Sequence, residues 1–278
     1  MTTTQHELAT RFRALHDPAA PLALANTWDA ASARLVAASG AAAVATTSAG
    51  VAWGLGAADG NRVARDEALA LLARVTAAVE LPVTADIESG FGAAPEDVAD
   101  TVARVLAAGA VGVNIEDAHP DPSAGSPLRP VEEQAARLAA ARAAAERAGI
   151  PMYLNARVDV FLRGAGEEPG RLAETLRRAR AYLDAGASGV FVPGVADSAL
   201  IAELTAGIDA PVNILAGPGA PSVPELGALG VARVSLGSAV AEAAYALVGR
   251  AARELLETGT YESVREAVEY RRMNALMS

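Results

Sequence analysis

Eight short apolar runs recur along the chain, and their rhythm restricts the fold more than any other feature. They are LALANTW (22–28), AAVATTS (42–48), LPVTADIE (81–88), VGVNIED (111–117), PMYLNARV (151–158), SGVFVPG (188–194), PVNILAG (211–217) and VARVSLGS (231–238). Each is nearly continuously apolar until its last residues, as strands buried on both faces of a parallel sheet are. Ala-rich amphipathic stretches separate them, at 29–39, 66–79, 95–109, 131–149, 170–186, 197–207 and 221–229. Ala-Gly-Ala-type stops and acidic or Pro starts punctuate these stretches as helices. The alternation predicts an α/β fold, a (β/α)8 barrel formed by residues 1–278 as a single domain. A doubly wound open sheet is the competing fold, and the eight strands favour the barrel. A further helix is expected at 5–16, before the first strand. Two more follow the eighth strand, at 239–258 and 261–276, where one would complete a barrel. The surplus helix needs something to cover it, so residues 239–278 are expected to pack on a partner subunit.

The inventory of side chains excludes whole classes of chemistry. The 278 residues contain no Cys, so thiolate nucleophiles, iron–sulfur clusters and Cys-ligated zinc are absent. All 23 basic residues are Arg, which rules out a Schiff-base lysine. The three His are His6, His16 and His119, and two of them fall in the first helix, so a three-histidine metal site is not expected. Net charge is −10 with no basic cluster, which argues against nucleic acid as a partner. No window approaches the roughly 18 uncharged apolar residues of a membrane span. The polar N-terminus lacks a signal-peptide core, so no membrane association and a cytoplasmic setting are expected. Carboxylates, Arg, hydroxyls, backbone amides and one His are left to carry the chemistry.

Polar groups gather at the C-terminal ends of the apolar runs, where barrels of this kind place their sites. In TADIESGFG, Asp86 and Glu88 stand one residue apart, and period-two alternation predicts that they share a face. Glu116 ends the next strand, about 5 Å away across the sheet. Three such acids repel one another unless each pairs with Arg or caps the following helix, or a hard divalent cation joins them; the three together favour the cation, and Mg2+ takes oxygen ligands while keeping several waters. Gly90-Phe91-Gly92 follows, a turn that could let backbone approach a metal and ligand closely. Arg157 ends the fifth strand and could grip an anionic ligand with its planar fork, with a salt bridge to Asp159 or to a metal-site acid as the competing role. Thr46, Thr47 and Ser48 offer hydroxyls and amides to a carboxylate, or form an ordinary turn. Asn213 ends the seventh strand. His119 sits in EDAHPDPSAGSPLRP (116–130), a loop long enough to act as a lid.

These residues carry a resemblance. The segments NTWDAASARLVAASGAAAVATTSAGVAWGLGAADGN, TADIESGFG, GVNIEDA and NARVDVFLRG, in this order over nearly the whole chain, resemble the isocitrate lyase/phosphoenolpyruvate mutase superfamily. The resemblance implies a barrel whose last helix is swapped between subunits, giving a homodimer or homotetramer. It implies Mg2+, for which Mn2+ can often serve, held near Asp59, Asp86, Glu88 and Glu116, with Asp86 as the direct ligand. It implies that Thr47, Ser48 and Ala49 hold a substrate carboxylate and that Arg157 grips a small 2-oxo or 2-hydroxy acid. Arg157, Glu116 and His119 are the candidate catalytic groups; Thr47, Ser48, Ala49, Gly90, Arg157 and Asn213 are the candidate substrate-binding set. The family's lyase branches carry a Lys-Lys/Arg-Cys-Gly-His loop after the fourth strand, and this chain has neither its Cys nor its Lys. The phosphonopyruvate branches place a His near the end of the sixth strand, where this chain has Pro193. The chain is most similar to a phosphonomutase-like branch. The expected reaction is Mg2+-dependent cleavage of a C–C bond beside a 2-oxo or 2-hydroxy acid, through a pyruvate-type enolate. P–C bond chemistry of the mutase or hydrolase kind, and a metal-site binding protein with weak turnover, are the alternatives.

Overall fold

The computed structural model describes residues 4–119, 123 and 125–278. Its eight strands are β1 (Leu22–Leu24), β2 (Val44–Ala45), β3 (Val83–Asp86), β4 (Gly112–Glu116), β5 (Tyr153–Arg157), β6 (Gly189–Val192), β7 (Val212–Leu215) and β8 (Val231–Ser235). They form one parallel sheet in the order β1-β8-β7-β6-β5-β4-β3-β2. The remaining seam is bridged just beyond β1, where Thr27 donates its amide to the Ala45 carbonyl at 2.8 Å and the Thr27 carbonyl accepts from the Thr47 amide at 3.0 Å. The expected (β/α)8 barrel is the fold observed.

The helices that wrap the barrel are α2 (Ala30–Ala38), α4 (Arg65–Ala78), α5 (Pro95–Ala107), α6 (Val131–Arg147), α7 (Arg171–Asp184), α8 (Ser198–Gly207) and α9 (Val223–Ala228). Local chemistry starts and stops them. Asp29 caps α2 by accepting the Ser32 amide at 2.7 Å. Pro95 opens α5, followed by Glu96 and Asp97 in the favourable first turn. A short helix, α3 (Ser48–Gly54), was not foreseen; it is folded from the Ala- and Gly-rich turn after β2.

Two apolar cores result. The outer faces of the strands pack against the helices through Val, Leu, Ile and Ala, including Val83, Ala85, Ile115, Leu154 and Ile214. The inner core fills the N-terminal end of the barrel with Leu22, Leu24, Ala43, Ala45, Val111 and Tyr153. The N-terminal helix α1 (Gln5–Ala14) plugs that end with Ala9 and Phe12. A Cβ on Gly112 would come within 2.8 Å of the Phe12 ring, so the absent side chain makes room for the plug. His16 follows the helix, stacked on Tyr153 at 3.7 Å between ring centroids, with Nδ1 2.8 Å from the Phe12 carbonyl.

The C-terminal region departs from expectation. Helix α10 (Ala239–Thr258) ends at Gly259, which takes a left-handed φ of 69°. The Glu254 carboxylate then accepts the amides of Glu262 and Ser263 at 2.6 and 2.7 Å. These bonds turn the chain into a 3-10 turn at 262–264, so the helix expected over 261–276 is replaced by that turn and a short α11 (Tyr270–Met277). Helix α11 packs on α2 of its own chain, where Arg34 donates to the Leu276 carbonyl. Val248, Leu255, Leu256, Tyr261 and Tyr270 remain exposed. Among the described residues no helix is long and apolar enough to cross a membrane.

One buried side chain ties the outer helices to the barrel mouth. Arg137 of α6 is fully buried and donates to the carbonyls of Ser89, Gly92 and Ala93, with the Gly92 bond at 2.9 Å. Its Nε also bonds Gln134, whose amide donates to the Glu116 carbonyl at 3.1 Å. One helix face thus holds both the turn after β3 and the end of β4.

Two outcomes follow from this packing. Arg137→Met leaves three carbonyls without their donor and should lower unfolding free energy in urea by on the order of 3 kcal/mol; an unchanged midpoint would show that the turn holds itself. Burial, with the charge of Arg233 adding to it, depresses His16 to about 3. The unfolded chain takes up a proton near the ordinary value of about 6.5 and the folded chain does not, so stability is complete above that pH and is lost as pH falls toward 3. Between pH 7.5 and 5, His16→Gln should therefore lose less stability than the wild type, by up to about 2 kcal/mol in urea titrations.

Candidate active site

The C-terminal ends of the strands surround a cavity of about 370 Å³. Thr47, Ser48, Ala49, Asp59, Asp86 and Arg157 all line it. Six of the residues singled out from the sequence are thus brought to one opening.

Asp86 is the acid at its centre. Its Oδ2 accepts the Ser48 amide at 3.2 Å, and its Oδ1 accepts the Glu88 amide at 3.2 Å and the Asn114 side chain at 3.3 Å. These donors are neutral, and no arginine is ion-paired with this carboxylate among the described residues. Its backbone is fixed by Thr46, whose hydroxyl accepts the Asp86 amide at 2.9 Å.

Glu88 does not share the Asp86 face as alternation predicted. The strand ends at Asp86, and Glu88 takes a left-handed φ of 50°. Its carboxylate turns away from the main cavity to accept the Asn61 amide in the loop that carries Asp59. Burial pushes Glu88 up to about 7, and the nearby charges of Asp86 and Asp59 act in the same direction.

Glu116 and His119 open onto an adjoining cavity of about 490 Å³, shared with Arg62 and Arg163. Asp59 borders both cavities. Burial raises Glu116 well above the usual carboxylate range, against the opposing pull of Arg157 and with Asp159 and Asp86 adding to the rise. Residues 120–122 and 124 of the lid loop lie outside the described residues. The loop's base is a short antiparallel pairing of Ala118 with Leu128.

Arg157 fills the competing role weighed from the sequence. Nε and Nη2 bond Asp159 at 2.6 and 3.0 Å, and Nη1 lies 2.9 Å from Glu116. A guanidinium has five N–H groups, so two remain to meet a ligand at the cavity wall. Asp159 is fully buried and its amide donates to Asp117 at 2.9 Å. Asp117 in turn accepts from Arg178 at 2.9 Å and Tyr182 at 2.8 Å, which anchors the pair from outside the barrel.

Two expected substrate contacts are placed elsewhere. Gly90 is buried against Val98 and Arg137 rather than at the cavity wall, and its φ of 91° makes the turn that Arg137 clamps. Asn213 lies beneath the cavity floor, 1% exposed and bonded to Asn155 and Ser235. Sequence reading passed over Arg233 and Thr84, both in the cavity wall. A signal for Arg233 exists, since VARVSLGS puts a charge in the middle of a core strand.

The donor set suits a hard divalent cation. Asp86 is a carboxylate without a cationic partner, and the acids next to it are destabilised in their charged forms by burial and by its charge. Among the described residues no three acids or histidines converge closely enough to coordinate one ion together. Asp86 and Asp59 line the main cavity, while Glu88 turns to the Asn61 loop and Glu116 opens onto the adjoining cavity. One or two direct carboxylates with water completing the shell is the usual arrangement for Mg2+.

Comparison with known proteins agrees with this architecture. Residues 12–256 match the phosphoenolpyruvate phosphomutase family. A Burkholderia cenocepacia structure described as a lyase or mutase is 42% identical, with a TM-score of 0.90 over 98% of this chain and 96% of that one. The 2-methylisocitrate lyase of Escherichia coli is 30% identical over 74% of this chain and 69% of its own. An oxaloacetate decarboxylase of Marinomonas is 30% identical over 77% and 73%. With its barrel, its strand-end carboxylates and this match along most of its length, the chain belongs to the phosphoenolpyruvate phosphomutase family, within the isocitrate lyase/phosphoenolpyruvate mutase superfamily.

Proposed function

We propose that the protein is a Mg2+-dependent lyase, with Mn2+ able to substitute, that cleaves a C–C bond beside a 2-oxo or 2-hydroxy acid. The observation that carries this reading is one cavity holding an unpaired carboxylate, Asp86, and an arginine, Arg157, with two N–H groups to spare. Relatives that act on oxaloacetate and methylisocitrate support the substrate class. Asp86 would hold the cation, with Asp59, Glu88 and Glu116 acting through water. When bound, the cation supplies positive charge that polarises the 2-oxo group.

The chain's own residues do the rest. Thr47 and Ser48 offer hydroxyls, and Ala49 an amide, to the substrate carboxylate beside Asp86. Arg157 donates to the oxygen on which negative charge builds as the bond breaks, held in place by Asp159 and Glu116. Fixed donors aimed at developing charge usually supply the largest part of catalysis. In decarboxylation the C–C bonding electrons pass into the enolate, CO2 leaves, and solvent returns a proton to carbon. That route needs no strong protein acid, which suits a chain without Cys or Lys. His119, at the adjoining cavity, and Glu116 are the groups nearest to hand for a retro-aldol proton.

P–C bond chemistry would want further cations facing the substrate. Arg129, on the lid, is instead ion-paired with Glu133 and buried, so Arg233 is the further cation that the wall of the main cavity offers beside Arg157.

The exposed apolar side chains of α10 and the segment after it favour a homodimer or homotetramer assembled through residues 239–278. A cytoplasmic setting fits the same reading.

An assay with Mg2+ and oxaloacetate, malate-like, methylisocitrate-like and phosphonopyruvate substrates should yield pyruvate with CO2 from oxaloacetate. Phosphate release would move the assignment to P–C chemistry, and no product with intact oxalate binding would leave a binding protein. Asp86→Ala should lower kcat/KM by about 10²–10³; full metal-dependent activity in that variant would refute the site. Light scattering should give a multiple of the 28.1 kDa chain mass, reduced by Leu256→Glu. A monomeric wild type would remove the assembly reading.

A further inference from the structure

We propose that Arg233 is the anchor for a second, distal carboxylate, which makes dicarboxylic acids the preferred ligands of this cavity; the proposal rests on the reading of the cavity as a 2-oxo or 2-hydroxy acid site. Arg233 lies on β8, level with Asn213 of β7, and lines the same cavity as Asp86 and Arg157. It is 4% exposed.

Its surroundings set it apart from other buried and half-buried arginines; Arg129, whose Nε also lacks a partner among the described residues, is ion-paired with Glu133. Arg137 donates to three carbonyls. Arg142 meets the carbonyls of Gly186 and Met152 and the Ser188 hydroxyl, each at 2.9 Å. Arg178 bonds Asp117, Glu174 and the Arg129 carbonyl. Arg157 is held by two carboxylates. Arg233 has one bond, from Nε to the Ser235 hydroxyl at 3.3 Å, and its buried Nη1 has no partner among the described residues. A buried guanidinium without an anion is costly, and a ligand carboxylate would supply the missing partner.

The groups around Arg233 leave the anionic role to a ligand. Below it, His16 has its Nδ1 on the Phe12 carbonyl, and Tyr153 is a phenol buried in the inner core. Beside it, Ser235 and Asn213 are neutral and hydrogen-bonded to each other. Asp86 is the carboxylate whose charge reaches Arg233, and the proposed cation would neutralise it. Arg157 and Arg233 are the two cationic residues of the cavity wall, so the one without a carboxylate is the natural receiver for the far end of a substrate.

Calorimetric binding in Mg2+ tests the assignment without relying on turnover. Malate and 2-hydroxybutyrate share a backbone and differ in whether the far end is a carboxylate or a methyl group. Oxalate reports on the metal end alone. Wild type should bind malate more tightly than 2-hydroxybutyrate. Arg233→Met should weaken malate by about 30-fold or more while moving oxalate and 2-hydroxybutyrate less than about 2-fold. Arg233→Lys, which keeps the charge, should restore part of the malate affinity and guards against a variant that merely misfolds. Equal loss for all three ligands, or none for malate, would overturn the anchor while leaving the metal-end reading intact. Failure of oxalate to bind wild type in Mg2+ would overturn that reading and the anchor with it. Phosphonopyruvate bound more tightly than malate, and lost in Arg233→Met, would reassign the anchor to a phosphonate.

Discussion

A run of hydrogen bonds inside the barrel joins the acid at the end of β3 to the cation on β8, and the mouth of the barrel is built on it. Asp86 accepts from Asn114 at 3.3 Å, and Asn114 accepts from Asn155 at 3.2 Å. Asn155 also donates to Asn213 at 3.1 Å; Asn213 donates to Ser235 at 3.2 Å, and Ser235 accepts from Arg233 at 3.3 Å. An asparagine can donate and accept at once, so one from each of three strands carries the chain across the interior. In such a low-dielectric space these bonds are strengthened and a missing partner is expensive. The ladder therefore fixes strand register where apolar side chains alone would tolerate a slip, and it divides the barrel into an apolar floor plugged by α1 and a polar mouth.

Charge in that mouth is organised by arginine. The chain has no Lys, and Arg137, Arg157 and Arg178 each span several carbonyls or carboxylates at once, as a planar fork can and a single ammonium cannot. Arg137 fixes the turn after β3. Arg178 and Tyr182 hold Asp117, Asp117 holds the Asp159 amide, and Asp159 orients Arg157. The charge of these arginines is thus committed to support, while Asp86 keeps neutral partners. The imbalance is what a bound divalent cation would correct.

Much of this was legible in the sequence. Eight apolar runs became eight parallel strands because strands buried on both faces cannot alternate. Helix ends followed their Asp, Pro and Gly signals. Thr47, Ser48, Ala49, Asp59, Asp86 and Arg157 meet at one cavity because strand ends in a closed barrel must converge. The departures share a cause. Glu88 lies past the last paired residue of β3, where the period of two no longer applies and a left-handed residue redirects the side chain. Helix 261–276 failed because Glu254 captures the amides of Glu262 and Ser263, a contact between residues too far apart for helical periodicity to register. Gly90 serves Arg137, 47 positions away, rather than a ligand.

By itself the sequence determined the barrel, the absence of thiol and amine chemistry, and the acids available for a metal, since these follow from periodicity and inventory. Tertiary structure decided which charges are spent and which are left over. Arg157 and Arg233 are alike in sequence terms, each a lone arginine in an apolar strand. Closure of the barrel gives one two carboxylates and the other a single hydroxyl. That distinction depends on which side chains face each other across the interior, and no local pattern encodes it.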